Sequence, residues 1–171
     1  VGDYSAAERL WRQVLQVRRE LLRPGHTLLT QTLLALGELL IERGRPRDAE
    51  PLLDEALRHQ EEHGLTTHPL TARIWVALSR VYHAAGRWAN AERAAQQALG
   101  QQQLTLHPHD LSIVDTYRQL ARLAMARHDV RRAREQCELA RERLTAATRV
   151  EPEVRLRLLL TSVRVALAAN D

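Results

Sequence analysis

The feature that most constrains this chain is the return of the same residue classes at steps of 42 positions. Gly2, Gly44, Gly86 and His128 form one column, and Ala7, Ala49, Ala91 and Ala133 form another. Trp11, Leu53, Ala95 and Cys137 align in a third, with Val14, Ala56, Ala98 and Ala140 in a fourth. Upstream of each of these sets, Leu33, Trp75 and Tyr117 align, as do Leu36, Leu78 and Leu120, then Gly37, Ser79 and Ala121, then Leu40, Tyr82 and Ala124. Spacings of three and four put these residues on one helical face, and the small members let a neighbouring helix approach closely. A chain that repeats one helix–turn–helix unit must build its core by stacking, because a single hairpin cannot bury both of its faces.

Turn residues divide the chain accordingly. Pro24-Gly25, Gly64 with Pro69, and Pro108 with Asp110 mark breaks between units, whereas Gly44-Arg45-Pro46 and Gly86-Arg87 mark turns inside them. The spacing predicts one all-α solenoid over 1–171 with eight helices: a partial repeat at 2–20, hairpins at 26–62, 69–104 and 110–148, and a terminal helix or partial repeat at 153–168. Six aromatic residues and no Phe leave most of the packing to Leu and Ala, which suits helices. Solenoids of the HEAT or armadillo type also have periods in the forties, but the two-helix unit and its alanine columns need no third helix. The chain opens on Val and enters directly into a helical pattern, as an excised piece of a longer polypeptide would.

The strings "LLALGELL", "WVALSRVY" and "YRQLARLA", followed by "DAEPLLDEA", "NAERAAQQA" and "RAREQCELA", resemble tetratricopeptide repeats. The 42-residue spacing and the openings "GHTLLTQTLLALG" and "HPLTARIWVALS" resemble the long-helix repeats of kinesin light chains and their bacterial relatives. The third repeat departs most, with His128 at the turn glycine, Ala124 near the end of its first helix and Cys137 in its second.

The resemblance implies an all-α, right-handed superhelix of antiparallel helix pairs, a non-catalytic protein- or peptide-binding scaffold whose first helices line a concave groove through motif positions two, five, nine and twelve. In the first full repeat these are Gln31, Leu34, Glu38 and Ile41; in the second, Arg73, Val76, Arg80 and His83. The third supplies Asp115, Arg118, Arg122 and Met125, and the incomplete fourth Arg157, Leu160 and Arg164. Gln31, Leu34, Glu38, Arg73, Val76, Arg80, His83, Arg118, Arg122 and Met125 are therefore the peptide-binding candidates. All 25 basic side chains are Arg, and guanidinium forks favour carboxylate or phosphate partners. The expected ligand is an acidic, partly hydrophobic protein segment, with Glu38, Glu42 and Asp115 available to neutralise the arginines internally. The groove lacks the lysines and asparagines of chaperone-binding tetratricopeptide domains. Homo-oligomerisation through exposed terminal helices, notably at Leu159, Val163 and Leu167, is the alternative.

Other classes have weaker support. The net charge of +4 invites nucleic acid, but "RHDVRRARE" lies across a repeat turn without an aromatic stacking platform. His59 and His63 in "HQEEH" share a helical face, yet Gln60 stands where a zinc protease needs its general base and no third ligand is specified; a polar face near a helix end is expected. In "HPHD", Asp110 reads as a helix cap rather than a ligand. Cys137 occupies a core column, so a buried structural thiol is expected. Near-adjacent acids such as Glu61/Glu62 and Glu151/Glu153 read as exposed helical or linker residues. No catalytic, cofactor or metal residues are assigned. The apolar run "VRLRLLLTSVRVALAA" is broken by three arginines, so no membrane partner is expected, and the cytosol is the default compartment.

Overall fold

The computed structural model describes residues 4–106, 110–146 and 152–169. These form α1 (Tyr4–Leu21), α2 (Thr27–Glu42), α3 (Pro46–Glu62), α4 (Pro69–Ala84), α5 (Trp88–Thr105), α6 (Leu111–Ala126), α7 (Val130–Ala146) and α8 (Pro152–Leu167). Gly2, His107, Pro108, His109 and Glu151, to which the sequence assigns turn, loop or linker roles, lie outside the described residues, as do 147–148 at the end of the third hairpin.

Each first helix begins in the same way. His26, His68 and Asp110 stand 42 residues apart and accept from the backbone N–H two residues on, at Leu28, Leu70 and Ser112, over 3.2, 3.1 and 2.9 Å. Asp110 is therefore a cap, and the two histidines do the same with Nδ1. Each first helix also ends in the same way. The N–H groups of Arg45, Arg87 and Asp129 donate to the carbonyls of Leu40, Tyr82 and Ala124 over 2.8, 2.9 and 2.9 Å, closing a Schellman turn. That closure places the intervening residue in the left-handed region: Gly44 and Gly86 at φ +71°, and His128 at φ +60°.

Helices α2 and α3, α4 and α5, and α6 and α7 form the hairpins, while α2, α4, α6 and α8 lie side by side. Together they make the antiparallel helix-pair superhelix of a tetratricopeptide-type stack. Leu33, Leu36, Leu40, Leu53, Ile74 and Leu78 are completely buried, so the columns read from the sequence are the core. Two apolar clusters, one running from α1 to α5 and one from α5 to α8, meet at the half-buried Tyr82. A Cβ added at Gly37 would stand 2.8 Å from Leu53 Cδ2, so a large side chain on α3 fills the space that glycine leaves on α2. The next units accommodate Ser79 and Ala121 by carrying smaller Ala95 and Cys137 in the Leu53 column. Cys137 is buried with Ala121, Ala124 and Val165, and burial pushes its thiol up.

Polar side chains cross the first three junctions at the same register, and the buried Leu144 takes that place at the fourth. At the ends of second helices stand Arg18, Gln60 and Gln102, spaced by 42. Arg18 donates to Thr32 and to the Leu28 carbonyl, Gln60 bonds Thr30 and Thr71, and Gln102 bonds Thr116 and the Ser112 carbonyl. A second column, Glu8, Glu50 and Glu92, receives arginines from the following turn. Arg12, Arg43 and Arg45 converge on Glu8, Arg87 reaches Glu50 at 2.5 Å, and Arg127 and Arg132 share Glu92 at 2.7 and 2.5 Å. Burial raises the Glu8 carboxyl, but the three surrounding guanidinium groups more than offset it and hold the group below its ordinary value.

The "HQEEH" segment differs from its expected polar face. His59 is buried at 7% exposure because it faces the stacked core, and burial lowers its imidazole. His63 turns back to the His59 carbonyl at 2.9 Å and packs where a Cβ on Gly25 would be.

A non-glycine residue at φ +60° carries a backbone penalty that glycine avoids. Replacing His128 with Gly is expected to stabilise the protein by about 1 kcal/mol, raising Tm by about 2–4 °C. Calorimetry on the wild type and His128→Gly measures this directly.

Candidate functional site

The first helices of successive hairpins bring a row of charged side chains together in a groove. Glu38 and Glu42 project from α2, Arg73, Val76 and Arg80 from α4, and Asp115, Arg118 and Arg122 from α6. With Arg157 of α8 they line a cavity of about 450 Å³. The spacing of seven between Arg73 and Arg80 holds both on one face of α4, and the 42-residue step carries that face onto α6.

Most of the charges are paired. Arg73 bonds both Glu38 oxygens, the shorter contact at 3.0 Å, and Arg80 reaches Glu42 at 2.5 Å. Arg118 turns to Asp115 on its own helix at 2.9 Å. Arg122 has neither an ion-pair nor a hydrogen-bond partner among the described residues. Burial and the nearby guanidinium groups of Arg118, Arg80 and Arg164 push Arg122 below its ordinary value. Burial, with the Arg122 charge, likewise lowers the His83 imidazole.

Of the ten candidates, Glu38, Arg73, Val76, Arg80, Arg118 and Arg122 line the cavity. The other four do not. Leu34 is 1% exposed and belongs to the core, so it offers a ligand no surface. Gln31 is exposed beyond the cavity, His83 stacks edge-on to Trp88 at 5.3 Å, and Met125 packs against the Ala121–Cys137 cluster. The cavity also contains Gln102, Ser112 and Gln119, which the repeat motif does not single out. Gln119 is 4% exposed and its Nε2 donates to no partner. Its sequence signal was a broken column: Ala35 and Ala77 occupy its place in the preceding repeats.

The arginine-rich turn at 127–135 is largely committed to ion pairs. Arg127 and Arg132 bind Glu92, and Arg131 lies 3.3 Å from Glu135. A cavity of about 460 Å³ lies between α4 and α5, where Trp75 and Tyr82 face Asn90, Arg93 and Gln97. Arg87 stacks over Tyr82 at 4.5 Å from the ring centre, and burial raises the phenol. Among the described residues there is no cluster of three or more metal-ligating side chains. No described helix is long and apolar enough to cross a membrane.

An unpaired cation held among like charges destabilises the fold that contains it. Arg122→Met is therefore expected to stabilise the protein by about 0.5–1 kcal/mol, a gain that shrinks as salt screens the repulsion. Thermal unfolding at low and high ionic strength checks both the sign and the salt dependence.

Comparison with known proteins agrees with the helix-pair fold. The tetratricopeptide repeat family model matches residues 1–62 and 36–103. The crystal structure of BtubC (BKLC) from P. vanneervenii is similar at a TM-score of 0.85 and 26% identity, covering 99% of this chain and 68% of that one. A P. anserina kinesin-light-chain-like protein of nearly identical TPR-like repeats is similar in fold, with a TM-score of 0.78, 24% identity, and coverage of 99% and 80%. A substituted form of that P. anserina protein gives 0.80 and 25% over the same shares. No curated protein matches the sequence.

Proposed function

The chain belongs to the tetratricopeptide repeat family, and from that premise we propose that it is a non-catalytic scaffold whose groove binds an acidic, partly hydrophobic protein segment. The observation that carries this reading is the alignment of Arg73, Arg80, Arg118 and Arg122 around Val76 in one cavity. Arg73 and Arg80 sit in exposed or half-exposed pairs with Glu38 and Glu42. Such pairs contribute about 0–1 kcal/mol each, so a ligand carboxylate can displace an internal one at little cost. Val76 supplies apolar contact, and the helical hairpins hold the charged groups without prior ordering of a loop.

Selection from a displayed peptide library, followed by calorimetry on the winning peptides, tests the groove. Acidic sequences should be enriched, and Arg80→Glu with Arg118→Glu should weaken them by about tenfold or more, while the mass by light scattering stays unchanged. Failure to select a peptide, or binding indifferent to these reversals, overturns the reading.

A second reading has its own observation. Leu156, Leu159, Leu160, Val163 and Leu167 of α8 are each more than half exposed, an apolar surface suited to self-association. Light scattering across a concentration series should then show a reversible rise in mass that Leu159→Arg abolishes. A constant monomer mass rules this reading out.

A further inference from the structure

Arg122 lacks a counter-ion, and the repeat itself explains why. Arg80 pairs with Glu42, the residue 38 positions earlier on the preceding first helix. The residue 38 positions before Arg122 is Ala84, which has no charge to offer. Thus the 42-residue step reproduces the arginine without its partner. The guanidinium of Arg164, one further step along the same column, also has no ion-pair or hydrogen-bond partner among the described residues. On the cavity wall beside Arg122 lies Gln119, whose buried Nε2 has no acceptor. Arg122 and the Gln119 amide are thus left unanswered on the cavity wall, and the Arg164 charge lies near enough to act on Arg122.

Resting on the groove reading above, we infer that this end of the groove is a subsite for a phosphate monoester on a Ser or Thr of the bound segment, held by Arg122 and the Gln119 amide with Arg80, Arg118 and Arg164 around it. A phosphate monoester carries about −1.5 to −2 charge at neutral pH and offers three strong acceptor oxygens. It therefore balances both arginines that lack internal partners and leaves an acceptor for the amide. A single carboxylate balances only one of those charges. Guanidinium forks bind phosphate oxygens in pairs, which suits a site built wholly from Arg. Two features favour a singly phosphorylated peptide over RNA. Glu38, Glu42 and Asp115 line the remainder of the cavity and repel a continuous phosphate backbone, and no aromatic side chain lines it for base stacking.

The test is nuclear magnetic resonance on the whole chain at constant ionic strength, titrated separately with N-acetyl-phosphoserine amide and with its serine and glutamate counterparts. The phosphoserine compound should shift the Gln119 side-chain amide and Arg122 Nε–H resonances saturably. The glutamate compound should bind about tenfold more weakly, and the serine compound should produce no saturable shift. Arg122→Met should weaken phosphoserine binding by about tenfold or more. The exposed Arg164→Gln, remote from the core, should weaken it severalfold and serves as the second variant should Arg122→Met perturb folding. Equal responses to phosphoserine and glutamate, shifts confined to other residues, or indifference to both variants overturn the subsite. Displacement of phosphoserine by a short RNA oligonucleotide at lower concentration also overturns it, in favour of a nucleic-acid ligand. Selected peptides that bind the groove while phosphoserine does not would leave the scaffold reading standing and remove only the subsite.

Discussion

The stack depends on a polar contact at each of its first three junctions. A hairpin presents apolar faces on both sides, and apolar surfaces alone do not specify how one hairpin is rotated on the next. Arg18, Gln60 and Gln102 supply that direction, each reaching from the end of a second helix to hydroxyls or carbonyls at the start of the following first helix, while Gln60 also reaches back to Thr30 of its own hairpin. Thr30, Thr32, Thr71 and Thr116 are thereby satisfied in places water does not reach. Leaving such a group unpaired costs about 1–3 kcal/mol, so a misregistered stack is penalised at several points together.

From that register follows the placement of charge. Arginines behind each hairpin turn fall beside Glu8, Glu50 or Glu92 of the previous unit, while Arg73 and Arg80 fall beside Glu38 and Glu42 in the groove. The first column joins repeats. The second lies along the groove, where its pairs remain partly open to solvent.

The electrostatic imbalance at Arg122 comes from the same stacking rule. A repeat protein can vary one position of a unit without disturbing the hairpin that carries it, since each unit contacts only its neighbours. Replacing a glutamate by Ala84 leaves the helix intact yet leaves the next arginine unpaired. The stacked core and the charged groove consequently follow from one periodic arrangement.

The columns of Leu, Ala and Gly by themselves determined the helical hairpins, their turns and most of the buried residues, because burial at 3.6-residue spacing and left-handed turn positions leave direct marks on residue choice. The alignment also located the row of groove arginines. It placed Leu34 in the groove as well, where packing between hairpins takes it into the core. Only the tertiary structure decided which arginines are paired, since Arg73 and Arg80 find carboxylates on another helix whereas Arg122 finds none. It likewise buried His59 and left the buried amide of Gln119 without a partner in the groove wall. Periodicity fixes which face a residue occupies on its own helix; whether that face meets solvent, a neighbour or a counter-ion depends on the stacking of residues distant in the chain.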